Sequence, residues 1–298
     1  MSGLRILVTG ATGLLGTRLV KSLSLKNEVF VLMRNQDLVP RGVRPILVDF
    51  SKPWTYEALP KEMDVVVHLA QSEGYKDFPS RSLEVFRVNV DSTANLLDYA
   101  VKSGVKKFIY ASTGGIYQSG SNPVTEDSEI LGPTALGNYF ATKLSSEMLC
   151  ASYRSIFEVN IARFFFIYGP GQREHMLIPR LARSIQENRA ITLSGERGIR
   201  INPIYVDDAS KIVEALVKES GPKTINIAGF EVIDIRKLSE MIGQIIGATP
   251  RFEIMPSAPD LVSDTSKLQS LMGKNMVDLF TGLTDSLDIK YRSNEGEG

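Results

Sequence analysis

The chain has 298 residues, with 34 basic and 34 acidic side chains, 43% hydrophobic and 23% charged content. This balance excludes a broad basic surface for nucleic acid and a long acidic tail, and the length allows a large core. The single cysteine, Cys150, excludes an internal disulfide and fits a reducing compartment.

The N-terminus runs straight into a strand, without the pattern of a signal peptide. No apolar run approaches the length of a bilayer span, so a cytoplasmic protein without membrane or nucleic-acid partners is expected. Residues 4–8 are predicted as the first strand, followed by the glycine turn Gly10-Ala11-Thr12-Gly13-Leu14-Leu15-Gly16. Leu14, Leu15, Leu19, Val20 and Leu23 then repeat at helical spacing. Further strands are predicted over 28–33, 45–48 and 64–69, a long helix over 83–102 stopped by Gly104, and a strand over 108–111. A helix over 139–152 and a strand over 160–167 follow.

Continuous apolar strands alternating with helices predict an α/β fold, a Rossmann-type doubly wound parallel sheet covered on both faces. After Gly169 the alternation weakens, and Pro170, Pro179, Pro203, Pro222, Pro250, Pro256 and Pro259 punctuate shorter elements. The division expected is a dinucleotide-binding domain over 1–168, with segments near 204–227 returning to it. A smaller mixed α/β lobe over 169–298 would be mostly substrate-binding, with residues 293–298 frayed.

In the glycine turn, one glycine permits the tight turn, another lets the backbone approach a pyrophosphate, and the third allows close helix–strand packing. The helix N-terminus attracts the negative charge. Gly10, Thr12, Gly13, Leu14, Leu15 and Gly16 are therefore candidate cofactor contacts. The second strand ends in Met33-Arg34-Asn35 without a carboxylate. Arg34 tilts the choice of cofactor, NAD or NADP, toward NADP, or is a solvated surface cation; Asp37 lies within reach of a ribose. Asp49, with Phe50, closes the third strand where adenine would lie, as an acceptor for its amino group or as a turn carboxylate. Leu69 and Ala70 are small and apolar where the cofactor ribose would pass, and His68 is read as a packed strand residue.

Tyr139 and Lys143 put a phenol and an ammonium one helical turn apart on one face. A free phenol titrates near about 10, and a nearby ammonium lowers that value. Tyr139 is the candidate general base, while Lys143 both tunes it and holds the nicotinamide ribose. Ser112 and Thr113, at the carboxyl end of the fifth strand, supply a hydroxyl for the reacting oxygen, Thr113 before Ser112; a cap or turn hydroxyl is the other reading. No metal site is expected, because His68 and His175 lack companions at ligand spacing. His175 is a candidate substrate contact or a solvated loop histidine.

With these residues in place, the chain resembles the extended short-chain dehydrogenase/reductase family, most of all its NAD(P)-dependent nucleotide-sugar epimerase/dehydratase branch. The resemblance covers nearly the whole chain. It rests on Thr9 to Gly16, Val67-His68-Leu69-Ala70, Asn89-Val90 with Thr93 to Leu97, and Ser112-Thr113 with Ile116-Tyr117. Tyr139 with Lys143, Arg163 to Gly171, and Arg200 through Val206-Asp207-Asp208-Ala209 complete it. It implies Asn89 near the cofactor, Arg200 on a substrate diphosphate, and a homodimer packed through the helix at 83–102 and the helix of Tyr139.

The chain also departs from the branch. Gly114-Gly115 stands where dehydratases carry Asp-Glu, which disfavours dehydration. Phe166 stands where an Asn usually reaches the substrate, and a late Arg is missing from 256–260, with Arg251 or Arg292 as substitutes. The leading expectation is an epimerase cycle at a sugar carbon. The alternatives are an NADP(H)-dependent reductase of a keto-sugar or other carbonyl, and a cofactor-sensing protein without catalysis.

Overall fold

The structure is a computed structural model that describes residues 3–35, 39, 41–220 and 223–291. Its centre is a seven-stranded sheet in the order β11-β6-β5-β4-β1-β2-β3. The strands are β1 (Arg5–Thr9), β2 (Glu28–Met33), β3 (Arg44–Leu47), β4 (Val65–His68), β5 (Lys107–Thr113), β6 (Glu158–Phe164) and β11 (Lys223–Ile227). From β1 to β6 all neighbouring strands pair in parallel. β4 is entirely buried and β1, β2 and β5 almost so, as strands covered on both faces must be.

The helices that cross over between these strands are α1 (Leu14–Leu23), α2 (Ser82–Phe86), α3 (Ser92–Lys102) and α4 (Gly137–Ser152). The long helix expected over 83–102 is interrupted: residues Arg87–Asp91 form a π turn between α2 and α3. The wider register releases the carbonyl of Asn89, which accepts the hydroxyls of Thr93 and Ser146. Gly104 ends α3 with φ +68°, the left-handed conformation that glycine adopts without penalty. One face of the sheet buries Leu7, Phe30, Leu32, Val66, Phe108, Tyr110, Val159 and Ile161 with Leu96, Leu97 and Ala100 of α3. On the sheet, Lys107 is nearly buried and donates to the carbonyls of Leu216 (3.1 Å) and Val217 (3.0 Å) in α6 (Val206–Lys218). An ammonium there satisfies the orphan carbonyls of the helix end.

The strand expected to run to residue 167 stops at Phe164. Phe166 has φ +43°, a left-handed backbone that cannot continue a strand, so Ile167–Tyr168 leave the sheet as β7. β7 pairs in parallel with β10 (Ile204–Tyr205).

By contacts the chain forms two compact units: residues 1–118, 129–164 and 210–225 in the first, 119–128, 165–209 and 226–298 in the second. The second unit is mixed α/β. β8 (Ala190–Ser194) pairs in parallel with β13 (Arg251–Met255), and β9 (Arg200–Ile201) antiparallel with β12 (Ile233–Asp234). Helices α5 (Leu177–Gln186), α7 (Ile235–Ile246), α8 (Ser266–Met272) and α9 (Leu279–Tyr291) complete it. Among the described residues no helix is long and apolar enough to cross a membrane.

Candidate active site

Gly10 has φ +71°, and a Cβ there would lie 2.8 Å from the amide nitrogen of Ala70. A Cβ on Gly16 would lie 2.1 Å from the Gly10 carbonyl. Both glycines are therefore required by packing, Gly10 against the end of β4 and Gly16 against the turn itself. Gly13 is different: a Cβ there would meet only the Gly10 carbonyl, at 3.2 Å. It leaves open space in front of the first turn of α1. That turn has no side-chain cap and no acidic residue, so its N–H groups and positive dipole end are available to an anion. The cradle fits a dinucleotide pyrophosphate. Thr12 is exposed beside it, Leu14 half-buried and Leu15 buried.

Around the turn, His68 is fully buried, with Nδ1 2.7 Å from the Thr9 hydroxyl and Nε2 3.1 Å from that of Thr93. Burial, with the charge of Lys143, lowers its pKa to about 3, so the ring is neutral. It is a structural strand residue. Arg34 is exposed at the end of β2, and Asp37 lies outside the described residues. Asp49 accepts from the amide (3.0 Å) and hydroxyl (2.7 Å) of Ser51, a turn carboxylate with its other oxygen 3.8 Å from Lys52. Phe50 is 7% exposed, and its ring packs on Trp54 and His68 in the core. Ala70 donates its amide to Thr9 Oγ1, which fixes Leu69 and Ala70 against β1.

Asn89 is buried. It accepts from the Ser72 amide (2.9 Å) and donates to Thr142 Oγ1 (2.9 Å), bracing the segment after β4 against α4. Lys143 is 2% exposed and its Nζ donates to the Ala111 carbonyl at 2.9 Å, with Tyr110 beneath it. Burial lowers its pKa to about 8. Tyr139 is half-buried; its hydroxyl donates to Gln71 Oε1 at 2.7 Å and its ring lies 4.6 Å from that of Tyr75. Burial, and then Tyr75, push the phenol above its ordinary value. The lowering expected from Lys143 is thus not found: the ammonium is engaged by Ala111, and desolvation of the phenol dominates.

Thr113 ends β5 half-buried, and its Oγ1 accepts from the Gly115 amide (3.1 Å), capping a short 3-10 turn. Its own O–H remains available as a donor. Ser112 Oγ is buried without a partner among the described residues. In the first unit, then, the glycine turn, Leu69-Ala70, Ser112-Thr113, Tyr139 and Lys143 gather at the carboxyl ends of β1, β4 and β5 and the start of α4, the edge where open parallel sheets bind ligands.

The remaining candidates belong to the second unit. Phe166 is half-buried on its left-handed backbone, a conformation that Asn tolerates far better than Phe. His175 is exposed in the turn before α5. Arg200 donates through Nε to Asp260 Oδ2 (2.8 Å) and through a terminal nitrogen to the Ser121 carbonyl (3.2 Å). Arg197 grips the same carboxylate with both terminal nitrogens, at 3.2 and 3.0 Å. The two guanidiniums and the Arg200 amide hold the Asp260 carboxyl down at about 2. The two guanidiniums are half-exposed, and their planar forks suit phosphate oxygens. Arg251 is exposed on β13, and Arg292 lies outside the described residues. Among the described residues no group of three or more His, Cys, Asp or Glu side chains could hold a metal. Gln71 and Arg197 escaped the sequence reading; the only signal for Gln71 was its place directly after His68-Leu69-Ala70.

A parallel sheet in this order, with a glycine turn opening a helix after β1 and a Tyr-x-x-x-Lys helix after β5, defines a short-chain dehydrogenase/reductase of the extended type. The chain belongs to the NAD dependent epimerase/dehydratase family, whose model matches residues 6–228. It is 27% identical to the uncharacterized UDP-glucose epimerase YtcB of Bacillus subtilis, over 99% of this chain and 100% of that one. It is 31% identical to UDP-glucuronate 4-epimerase of Thermodesulfobacterium geofontis, over 65% of this chain and 60% of the relative. Among solved structures, UDP-glucuronic acid 4-epimerase from Bacillus cereus, in complex with UDP-glucuronic acid and NAD, superposes with a TM-score of 0.84 at 27% identity. That match covers 98% of this chain and 100% of the other.

Proposed function

We propose that the protein is a nicotinamide-dinucleotide-dependent epimerase of a nucleotide-activated sugar, with a UDP-hexose or UDP-hexuronic acid as the first substrates to try. The observation that carries this reading is the Tyr139 phenol at the start of α4, one turn from Lys143, whose ammonium is bonded to Ala111 of β5. Gly13 and the first turn of α1 hold the pyrophosphate, Leu69 and Ala70 line the ribose path, Asp49 and Phe50 border the adenine, and Lys143 holds the nicotinamide ribose. The bound dinucleotide supplies reversible hydride acceptance at the sugar carbon. Tyr139, as phenolate, takes the proton of the sugar hydroxyl and later returns it. Thr113 donates its O–H to the same oxygen and keeps it directed at Tyr139. Arg200 and Arg197 are proposed as phosphate ligands.

Tyr139→Phe tests the reading: turnover on UDP-glucose and UDP-glucuronic acid should fall by roughly 10²–10⁴ with the fold retained. Near-normal turnover would refute Tyr139 as the base.

A second reading, an NADP(H)-linked carbonyl reductase, is favoured by exposed Arg34 directly after β2, a strand whose last residues, Leu32 and Met33, carry no carboxylate. Arg34→Asp should weaken NADPH more than NADH, and equal loss would remove that preference. Leu83 and Phe86 of α2 and Met148 of α4 are 60%, 50% and 68% exposed. They support a homodimer through these helices.

A further inference from the structure

We infer that Gln71 is a positioning residue for Tyr139, an amide that accepts from the phenol and, turned over, donates to the phenolate. The inference rests on the reading of Tyr139 as the general base.

Three observations carry it. The phenol hydroxyl donates to Gln71 Oε1 at 2.7 Å. The backbone around Gln71 is pinned on both sides: Ala70 N donates to Thr9 Oγ1 (3.1 Å) and Ser72 N to Asn89 Oδ1 (2.9 Å). Asn89 in turn donates to Thr142, whose hydroxyl donates to the Tyr139 carbonyl at 2.8 Å. A closed circuit of hydrogen bonds thus links the segment bearing Gln71 to the turn of α4 bearing Tyr139. The 2.7 Å contact belongs to that frame, although the Gln71 side chain itself is exposed.

An amide suits this place because it carries an acceptor and two donors on one planar group. While the phenol keeps its proton, Oε1 faces it. Once the proton has left, a half-turn of the amide presents Nε2–H to the phenolate. The bond to the charged oxygen is the stronger of the two, so the net effect of Gln71 is to favour the phenolate. Among the described residues Gln71 is the side chain hydrogen-bonded to the Tyr139 hydroxyl. Tyr75, after β4, covers the ring; Phe140 flanks it on α4. Lys76 lies over Tyr75. Tyr110 of β5 lies beneath Lys143, and Glu147 follows one turn later on α4; the Lys143 ammonium is bonded to Ala111.

The test uses full-length protein carrying ¹³Cζ-tyrosine, with NAD⁺ added, and follows the Tyr139 signal against pH by NMR. That signal is assigned by its absence in Tyr139→Phe. Gln71→Met keeps the size and loses both roles; Gln71→Glu keeps only the acceptor and adds a charge. The titration midpoint should rise by about one pH unit in Gln71→Met and further in Gln71→Glu. The acid limb of turnover, where a substrate is in hand, should shift in the same order. Unchanged midpoints in both variants would overturn the proposal. So would a lower midpoint in Gln71→Met, which would mean that Gln71 only accepts and stabilises the protonated phenol. Because the NMR midpoint needs no turnover, failure here is separate from failure of Tyr139 as the base, which Tyr139→Phe kinetics decide.

Discussion

A Cβ placed on Gly115 would lie 2.3 Å from Cε1 and 2.5 Å from Cζ of Phe140. The Phe140 ring occupies the room in which a dehydratase of this branch would carry its acid. Gly115→Glu should therefore not create an eliminating enzyme. It should lower stability by about 1–3 kcal/mol through overpacking, read by thermal or urea unfolding. A Gly115→Glu variant of normal stability that eliminates water from a nucleotide-sugar would contradict this account.

Arg163 of β6 holds Glu147 of α4 through Nε to Oε1 (3.0 Å) and through a terminal nitrogen to Oε2 (2.7 Å). Its other terminal nitrogen donates to the Tyr117 hydroxyl at 2.6 Å. Both side chains are nearly buried, 10% and 5% exposed. Glu147→Gln leaves the guanidinium buried without its counter-charge and should cost about 3–5 kcal/mol. Replacing both by apolar residues should cost less than that. Tyr139, Lys143 and Glu147 share one face of α4, so the single variant should also slow turnover, as stopped assays at matched folded fraction would reveal.

The His68 ring sets a pH dependence whose sign follows from its burial. Its pKa falls from 6.5 to about 3 on folding, so between those values the unfolded chain binds more protons than the folded one. The contribution of the neutral ring is complete above 6.5 and is lost progressively as pH falls toward 3. His68→Asn should flatten urea-derived stability across that window relative to wild type. Parallel profiles for the two proteins would mean that the imidazole is not titrating there.

If the apolar side chains of α2 and α4 join two copies of the chain, Phe86→Asp or Met148→Asp should halve the mass seen by analytical ultracentrifugation. Monomeric wild-type protein would remove the homodimer from consideration.

The strand–turn–helix order of the first unit was legible because buried parallel strands are continuous apolar runs and the glycine turn is local chemistry. Glu28–Met33 and Leu14–Leu23 show this directly. The end of β6 was not legible: Ile167 and Tyr168 are as apolar as the strand before them, and only the left-handed backbone of Phe166 removes them from the sheet. The π turn at Arg87–Asp91 was hidden for a similar reason, since its residues carry an unbroken helical pattern.

In the site, the residue types at 10–16, 113, 139 and 143 were dictated by sequence, because spacing along one turn or one helix face is covalent geometry. What these groups do in the resting protein depends on neighbours far away in the chain. Lys143 meets Ala111, Tyr139 meets Gln71 and Tyr75, and Arg197 meets Asp260 only once strands and helices have packed. The sequence by itself determined the fold class, the family and the candidate reactive groups. Only the tertiary structure decided which partners hold those groups and how strongly burial shifts them, because desolvation and hydrogen bonding arise from contacts that no local pattern encodes.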